Sequence, residues 1–239
     1  MIQTLTIGVI TRNGMPFLQA CLDSLPPENF SGLHVNTILV DCCSTDDTTK
    51  TMLAFAERRK ATKVLRIEGK ANAAVARNVV LLHNTGSYLM LLDGDTVLSH
   101  KFLEEGISEI QAGTADSVNG ALQEQWYNID NDPEGQPFFR IQVSPPHYVR
   151  TSGGSILLGP AVLQSGIVYD ERLRRGQDRD FALQISEHMK LRRIPISIGT
   201  HLTYHYYSPQ RIKDFYHNGY QRPLGIFIRK HAVYPDSLW

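Results

Sequence analysis

The feature that most constrains this chain is the alternation of hydrophobic period along its first hundred residues. Residues 4–10 (TLTIGVI) form a β-type apolar run. Met15-Pro16 then opens a segment in which Phe17, Leu18, Cys21, Leu22 and Leu25 recur at helical spacing, and Pro26-Pro27 ends it. Residues 36–41 are a second strand whose last residue is Asp41. Ser44 and Asp47 have the spacing of a capping box, ahead of a helix that turns Met52, Phe55 and Ala56 inward. Residues 63–67 predict a third strand, residues 71–83 a further helix, and residues 88–92 a fourth, wholly apolar strand that runs straight into Asp93-Gly94-Asp95. Strands joined by helical crossovers lie parallel and carry helices on both faces, so the pattern predicts an α/β fold with a mostly parallel central sheet.

Beyond Asp95 the pattern is less regular. It predicts a helix over residues 100–111, a strand near 117–123, and a loop or hairpin insertion over the Pro-, Gly-, Asn- and Asp-rich stretch 126–146. A strand at 153–158, helices at 160–164 and 178–188, a strand at 194–198 and a helical tail over 209–231 follow. With 239 residues and 42% hydrophobic content, a core of normal size forms without staples. No linker or repeat divides the chain. Balanced charge, with 24 basic and 24 acidic side chains, argues against a protein that binds nucleic acid over its whole surface. The three cysteines, Cys21, Cys42 and Cys43, make neither a disulfide framework nor a zinc spacing and read as buried packing. The first residues lack the pattern of a signal peptide, and no apolar run reaches the length of a membrane span. The expectation is a soluble chain in a reducing compartment, the cytoplasm.

Candidate chemistry sits where strands end. Ligands of open α/β sheets bind at the carboxyl ends of the strands, and there the sequence places Asp41, Asp93 and Asp95, with Asp178 and Asp180 at the start of a later helix. Taken singly, such residues also serve as turn formers or helix-terminal charges. Two carboxylates separated by one small residue, presented by a buried strand, suit a hard divalent cation that also binds phosphate. Other signals fail. Asp130-Asn131-Asp132 begins like a calcium loop, but Ile141 stands where the closing Glu belongs. Neither a G-x-G-x-x-G nor a P-loop follows the first strand, and a G-x-S-x-G elbow is absent.

The ordered set LTIGVITRNG, ILVDCCSTDDT, ANAAVARNVVL, GSYLMLLDGDTVL and GQDRDF resembles the family 2 glycosyltransferases over about residues 4–205. The resemblance implies inverting enzymes with the GT-A fold, a Rossmann-like nucleotide-sugar-binding domain, using Mn²⁺ or Mg²⁺. It implies a division into a nucleotide-sugar half at 1–98 and an acceptor half at 99–205, followed by a basic, aromatic extension at 206–239. Thr11 and Asn13 would line the nucleotide pocket, Asp41 would contact base or ribose, and Arg77 would approach the nucleotide. Asp93 would bind ribose or metal, and Asp95 would bind the metal bridging the diphosphate. His205 would be a third metal ligand, with His201 as its competitor. Asp178 would be the catalytic base, because the family pattern Glu-Asp falls on Gln177-Asp178, and Asp180 would position the acceptor. The chain departs from the family at Cys42, where a second acidic residue is common; this leaves guanosine and thymidine donors open beside uridine. Gln177 removes a negative charge beside the base.

The chemistry is consistent with those roles. A departing nucleoside diphosphate leaves negative charge that a metal at Asp95 stabilises, and a carboxylate must take the proton of the incoming hydroxyl. The partners implied are a nucleoside diphosphate sugar and a glycan or lipid-linked acceptor. Arg211, Lys213, Arg222, Arg229 and Lys230, mixed with aromatic residues, suit either an anionic membrane surface, such as the inner face of the plasma membrane, or a helix docked on the core. A chain of this length also fits a catalytic core that continues into a membrane anchor. Two other readings stay open: a nucleotidyltransferase, and a catalytically silent nucleotide-sugar-binding domain.

Overall fold

The computed structural model describes residues 3–204, apart from Lys70 and Ile129, together with Ile226 and Lys230. Its strands are β1 (Thr4–Thr11), β2 (Asn29–Phe30), β3 (Leu33–Asp41), β4 (Thr62–Arg66), β5 (Tyr88–Asp93), β6 (Thr96–Leu98), β7 (Ser117–Tyr127), β8 (Pro133–Ile141), β9 (His147–Tyr148), β10 (Ile156–Leu158) and β11 (Leu191–Tyr204). Its helices are α1 (Leu18–Asp23), α2 (Thr48–Arg58), α3 (Ala73–His83), α4 (His100–Gln111), α5 (Pro160–Gln164) and α6 (Gln177–His188).

All eleven strands belong to one mixed sheet in the order β2-β3-β1-β5-β10-β7-β11-β6, with β4 on β3, β8 on β7 and β9 on β11. The parallel core is β4, β3, β1 and β5, as the crossover argument requires. Its register aligns Thr11 with Asp41, Ile10 with Asp93, and Asp41 with Arg66, so the carboxyl ends of the four strands share one edge. The sheet then curls. β5 and β6 are separated in sequence by Gly94 and Asp95 alone, yet the pairing path between them runs through β10, β7 and β11. The Asp-Gly-Asp tripeptide lies on the seam of that curl, where Leu202 N–H donates to the Asp95 carbonyl at 2.8 Å.

Alternate side chains feed two cores. Leu5, Ile7, Val9, Tyr88, Met90 and Leu92 pack with α1, α2 and α4, whereas Ile10, Leu89 and Leu91 pack with α3, α5 and α6. This is the period-two signature of strands covered on both faces. At Gly8 a side chain would collide with Val80, so the missing Cβ is what lets α3 lie close on β1.

Several local expectations need correction. Ser44 and Asp47 do not form a capping box: Asp47 is the N-cap of α2 without a side-chain bond, and Ser44 Oγ accepts from the Asn13 N–H at 2.8 Å. By contrast, α3 carries a side-chain cap, Asn72 Oδ1 accepting from the Val75 N–H at 3.1 Å. The insertion at 126–146 is a hairpin, with β8 antiparallel to β7, and β11 begins earlier and ends later than the predicted 194–198. Among the described residues no helix is long and apolar enough to cross a membrane.

Candidate functional site

At the shared strand edge lies a cleft of about 990 Å³, lined by the loop after β1 (Thr11, Arg12, Asn13), by Cys42 after β3, and by Gly69, Ala71, Asn72 and Arg77 before and on α3. Asp93, Gly94 and Asp95 after β5, Gly154 before β10, and Arg174, Gln177 and Asp178 at the start of α6 complete it. The volume is of the size that holds a nucleotide-scale ligand. Most of these segments, distant in sequence, meet here because they follow the carboxyl end of a strand or open a helix that covers it; Gly154 instead leads into β10, antiparallel to β5.

The floor is a charge pair. Arg77, buried on α3, donates from Nη2 to Asp93 Oδ1 at 2.5 Å, and its guanidinium lies 5.5 Å from the ring centroid of Tyr169. Tyr169 stacks on Phe181 of α6 at 3.9 Å and 8°. One contiguous set of side chains therefore links Asp93 to the helix that bears Asp178. Burial raises the pKa of the Asp93 carboxyl, Arg77 offsets this in part, and Asp95 adds to it. Carboxylates whose charge is penalised in this way are what a divalent cation relieves. Gly154 closes the floor: a Cβ there would collide with the Asp93 carboxylate and stand 2.7 Å from Arg77 Nη2. Gly94 is equally constrained, with a Cβ reaching 2.7 Å from Thr11 Cβ.

Asp95 is braced from the far side of the curl. His201 on β11 places Nε2 3.3 Å from Asp95 Oδ2 and Nδ1 3.3 Å from Glu124 Oε1. Glu124 is buried on β7 and receives Arg140 Nη1 at 2.6 Å. Burial opposes a charge on His201, but the hydrogen bonds of Asp95 and Glu124 and the charges of Asp95 and Asp93 outweigh it and push the imidazole up to about 9. Asp95 Oδ1 is buried and has no protein partner. That orphaned hard oxygen, beside Asp93, fits a divalent cation held by one or two carboxylates and completed by ligand phosphates and water. Among the described residues no group of three or more His, Cys, Asp or Glu side chains is arranged as a closed metal cage.

The other expected residues fall in different places. Thr11 and Asn13 line the cleft, and Asn13, at φ 51°, accepts from the Thr45 N–H at 2.9 Å, which fixes the two loops to each other. Asp178 lies in the first turn of α6, lines the cleft, and accepts from the Arg179 N–H at 2.9 Å. Asp41, expected against base or ribose, is not part of the lining. Its fully buried carboxylate is consumed by its own loop, accepting from the Ser44 N–H at 2.9 Å and from the Thr49 hydroxyl, with Arg66 at 3.8 Å. Asp180, expected at the acceptor, points into the core and meets Gln184 and Lys230. His205 lies outside the described residues, as does the 209–231 segment apart from Ile226 and Lys230. Glu124, Gly154 and Arg12 went unanticipated. Cys42 does face the cleft; burial, then Asp41, push its thiol up to about 11, so it stays protonated at neutral pH. All three cysteines are free thiols.

A curled, mostly parallel sheet with helices on both faces and paired carboxylates on its seam is the GT-A, Rossmann-like fold. Residues 6–157 match the family described as glycosyl transferase family 2, and the chain belongs to it. It is similar to glycosyltransferase GlyG of Streptococcus pneumoniae, 26% identical over 141 residues, which cover 59% of this chain and 44% of the relative. It is also similar to the poly(ribitol-phosphate) β-N-acetylglucosaminyltransferase TarS of Staphylococcus aureus, 22% identical over 231 residues, covering 88% of this chain and 38% of the relative. The chain thus spans less than half the length of these curated relatives. Among solved structures, TarS in complex with UDP-GlcNAc superposes with a TM-score of 0.65 at 18% identity, over 84% of this chain and 58% of that one. A mannosyltransferase from Pyrobaculum calidifontis in complex with GDP-Man and Mn²⁺ gives 0.63 at 16%, over 84% and 57%.

Proposed function

We propose that this chain is the catalytic part of an inverting, metal-dependent glycosyltransferase that moves a sugar from a nucleoside diphosphate sugar to a hydroxyl of a glycan or lipid-linked acceptor. The observation that carries the reading is that Asp93, Asp95, Arg77 and Asp178, spread over a hundred residues of sequence, line one cleft. Asp93 and Asp95 would hold Mn²⁺ or Mg²⁺, which when bound supplies charge for the departing diphosphate. Arg77 fixes the Asp93 carboxylate, and His201 with Glu124 fixes that of Asp95. Asp178, in the first turn of α6, takes the proton of the acceptor hydroxyl as its oxygen bonds to the anomeric carbon and the bond to the diphosphate breaks on the opposite side. Attack from that side inverts the anomeric configuration.

Donor choice is set beside Cys42. The two structural neighbours are seen with a uridine and a guanosine donor respectively, so the fold accommodates both. A thermal-shift screen of nucleoside diphosphate sugars with Mn²⁺ identifies the donor, since a ligand that binds only the folded state raises Tm. Asp95→Asn and Asp178→Asn are each expected to lower kcat by about a hundredfold or more, the range of general acid–base and electrostatic contributions, with circular dichroism unchanged. Only Asp95→Asn should also lose the Mn²⁺-dependent shift. Full transfer by either variant overturns the assignment. Peripheral contact with an anionic membrane through the basic residues of 209–231 belongs to the same reading. It is measured by cosedimentation with phosphatidylserine vesicles, and wild-type binding by an Arg211→Glu/Lys213→Glu variant counts against it.

A further inference from the structure

Asp180 lies two residues from Asp178, on the side of α6 turned into the core, and its side chain is fully buried. A carboxylate in that place is costly unless it is partnered. Gln184 Nε2 donates to Oδ2 at 2.9 Å, and Lys230 Nζ stands 2.8 Å from Oδ1 and 3.0 Å from Oδ2. The same ammonium is 3.6 Å from Asp170 Oδ2. Asp170 begins the stretch that leads into α6 and is itself clasped by Arg172, Nε to Oδ1 at 2.9 Å and Nη2 to Oδ2 at 2.6 Å. Four residues before Lys230, Ile226 packs against Leu173 of that stretch and Leu183 of α6. Two contacts of different chemistry, one apolar and one ionic, thus join Ile226 and Lys230 to the same two elements.

The helix they hold has a start without a side-chain cap. α6 starts at Gly176, in the left-handed region at φ 74°, and this N-cap supplies no side-chain hydrogen bond. A glycine N-cap offers no side-chain acceptor to the first N–H groups, of which that of Arg179 is taken by Asp178 Oδ1 at 2.9 Å. Asp178 and Gln177 are both in that first turn and both line the cleft. The carboxyl side of the turn is secured by Phe181 on Tyr169; on the Asp180 side, Gln184 of the same helix and Lys230 are among its anchors.

We propose that Lys230 and Ile226 lock the active-site helix. Lys230, inserted between Asp180 and Asp170 with Ile226 seated on Leu173 and Leu183, is a positioning residue that holds the first turn of α6 where Asp178 meets the acceptor. The proposal rests on reading Asp178 as the base. It assigns Asp180 a task different from touching the acceptor: it is the socket of the lock.

The test uses the full chain and the variants Lys230→Met, Lys230→Arg and Asp180→Asn/Lys230→Met. In hydrogen exchange, amides of residues 177–183 should exchange at least tenfold faster in Lys230→Met and return towards wild type in Lys230→Arg. In steady-state transfer, Lys230→Met should lose at least tenfold in kcat with donor KM within twofold, because the donor side of the cleft is built on β1, α3 and β5. The double variant, which removes the buried carboxylate's charge together with the ammonium, should recover part of that loss. Unchanged exchange in Lys230→Met overturns the lock, as does a fall in kcat accompanied by an equal loss of donor affinity or of global stability. Absence of transfer by the wild-type chain would instead overturn the catalytic reading of Asp178, while the exchange measurement, which needs no activity, still decides the lock.

Discussion

Gly154 carries no side chain, and the cleft depends on that. A methyl group at its Cα would occupy the space of the Asp93 carboxylate and crowd Arg77, so Gly154→Ala should break the charge pair that forms the floor. The expected result is at least a tenfold loss of donor affinity, measured by calorimetry with Mn²⁺ present, with the far-ultraviolet spectrum retained; unchanged affinity would show that the floor is not part of the donor site. Asp170 offers a test through pH. The hydrogen bonds of Arg172, against some desolvation, hold its carboxyl well below the usual range. A depressed native pKa contributes stability that is present above the unfolded value, about 3.9, and is lost as pH falls through the native one. Asp170→Asn should therefore lower Tm at pH 7, and the two melting curves should converge as pH drops below about 4. Residues of these two kinds differ in legibility. Asp93, Asp95 and Asp178 were readable because each ends a strand or opens a helix. Gly154 and Glu124 were not, because their partners Asp93 and His201 lie 61 and 77 residues away and leave no local pattern.

Elements with both ends written in local chemistry were legible to the residue. α4, His100–Gln111, begins behind Ser99, whose Oγ accepts from the Phe102 N–H at 3.4 Å, and α5, Pro160–Gln164, opens on the fixed φ of proline. β8 was ambiguous because eight of its nine residues are exposed and no apolar alternation marks them. The capping box misled because Ser44 and Asp47 satisfied the spacing while the tertiary demand of the Asn13 N–H claimed the serine hydroxyl. α6 has a mixed surface, with two carboxylates in its first turn directed to opposite duties, and sequence spacing alone could not tell which one faced the cleft. Its buried anchor can be tested directly. Phe181 is 1% exposed and stacked on Tyr169; Phe181→Ala should cost about 3–5 kcal/mol, a fall in Tm on the order of 10 °C, and a smaller loss for Phe181→Leu would confirm that volume is what matters.

The molecule is one sheet with two characters: a parallel half whose topology follows from alternating periods, and a curled half of antiparallel and mixed pairings that brings the chain back on itself at Asp95. Because the curl is closed by residues as far apart as Asp95 and Leu202, no early segment of the chain owns the cleft. This has a kinetic consequence. Long-range closure is the slow part of folding, and a pocket whose walls come from residues 10 to 178 is complete only after the barrier has been crossed. A donor and metal that bind there should slow unfolding in proportion to their affinity and leave the refolding rate unchanged. Stopped-flow chevrons with and without UDP-sugar or GDP-sugar and Mn²⁺ would show the unfolding arm alone displaced; an equal displacement of the refolding arm would mean that the carboxylates meet before the curl closes.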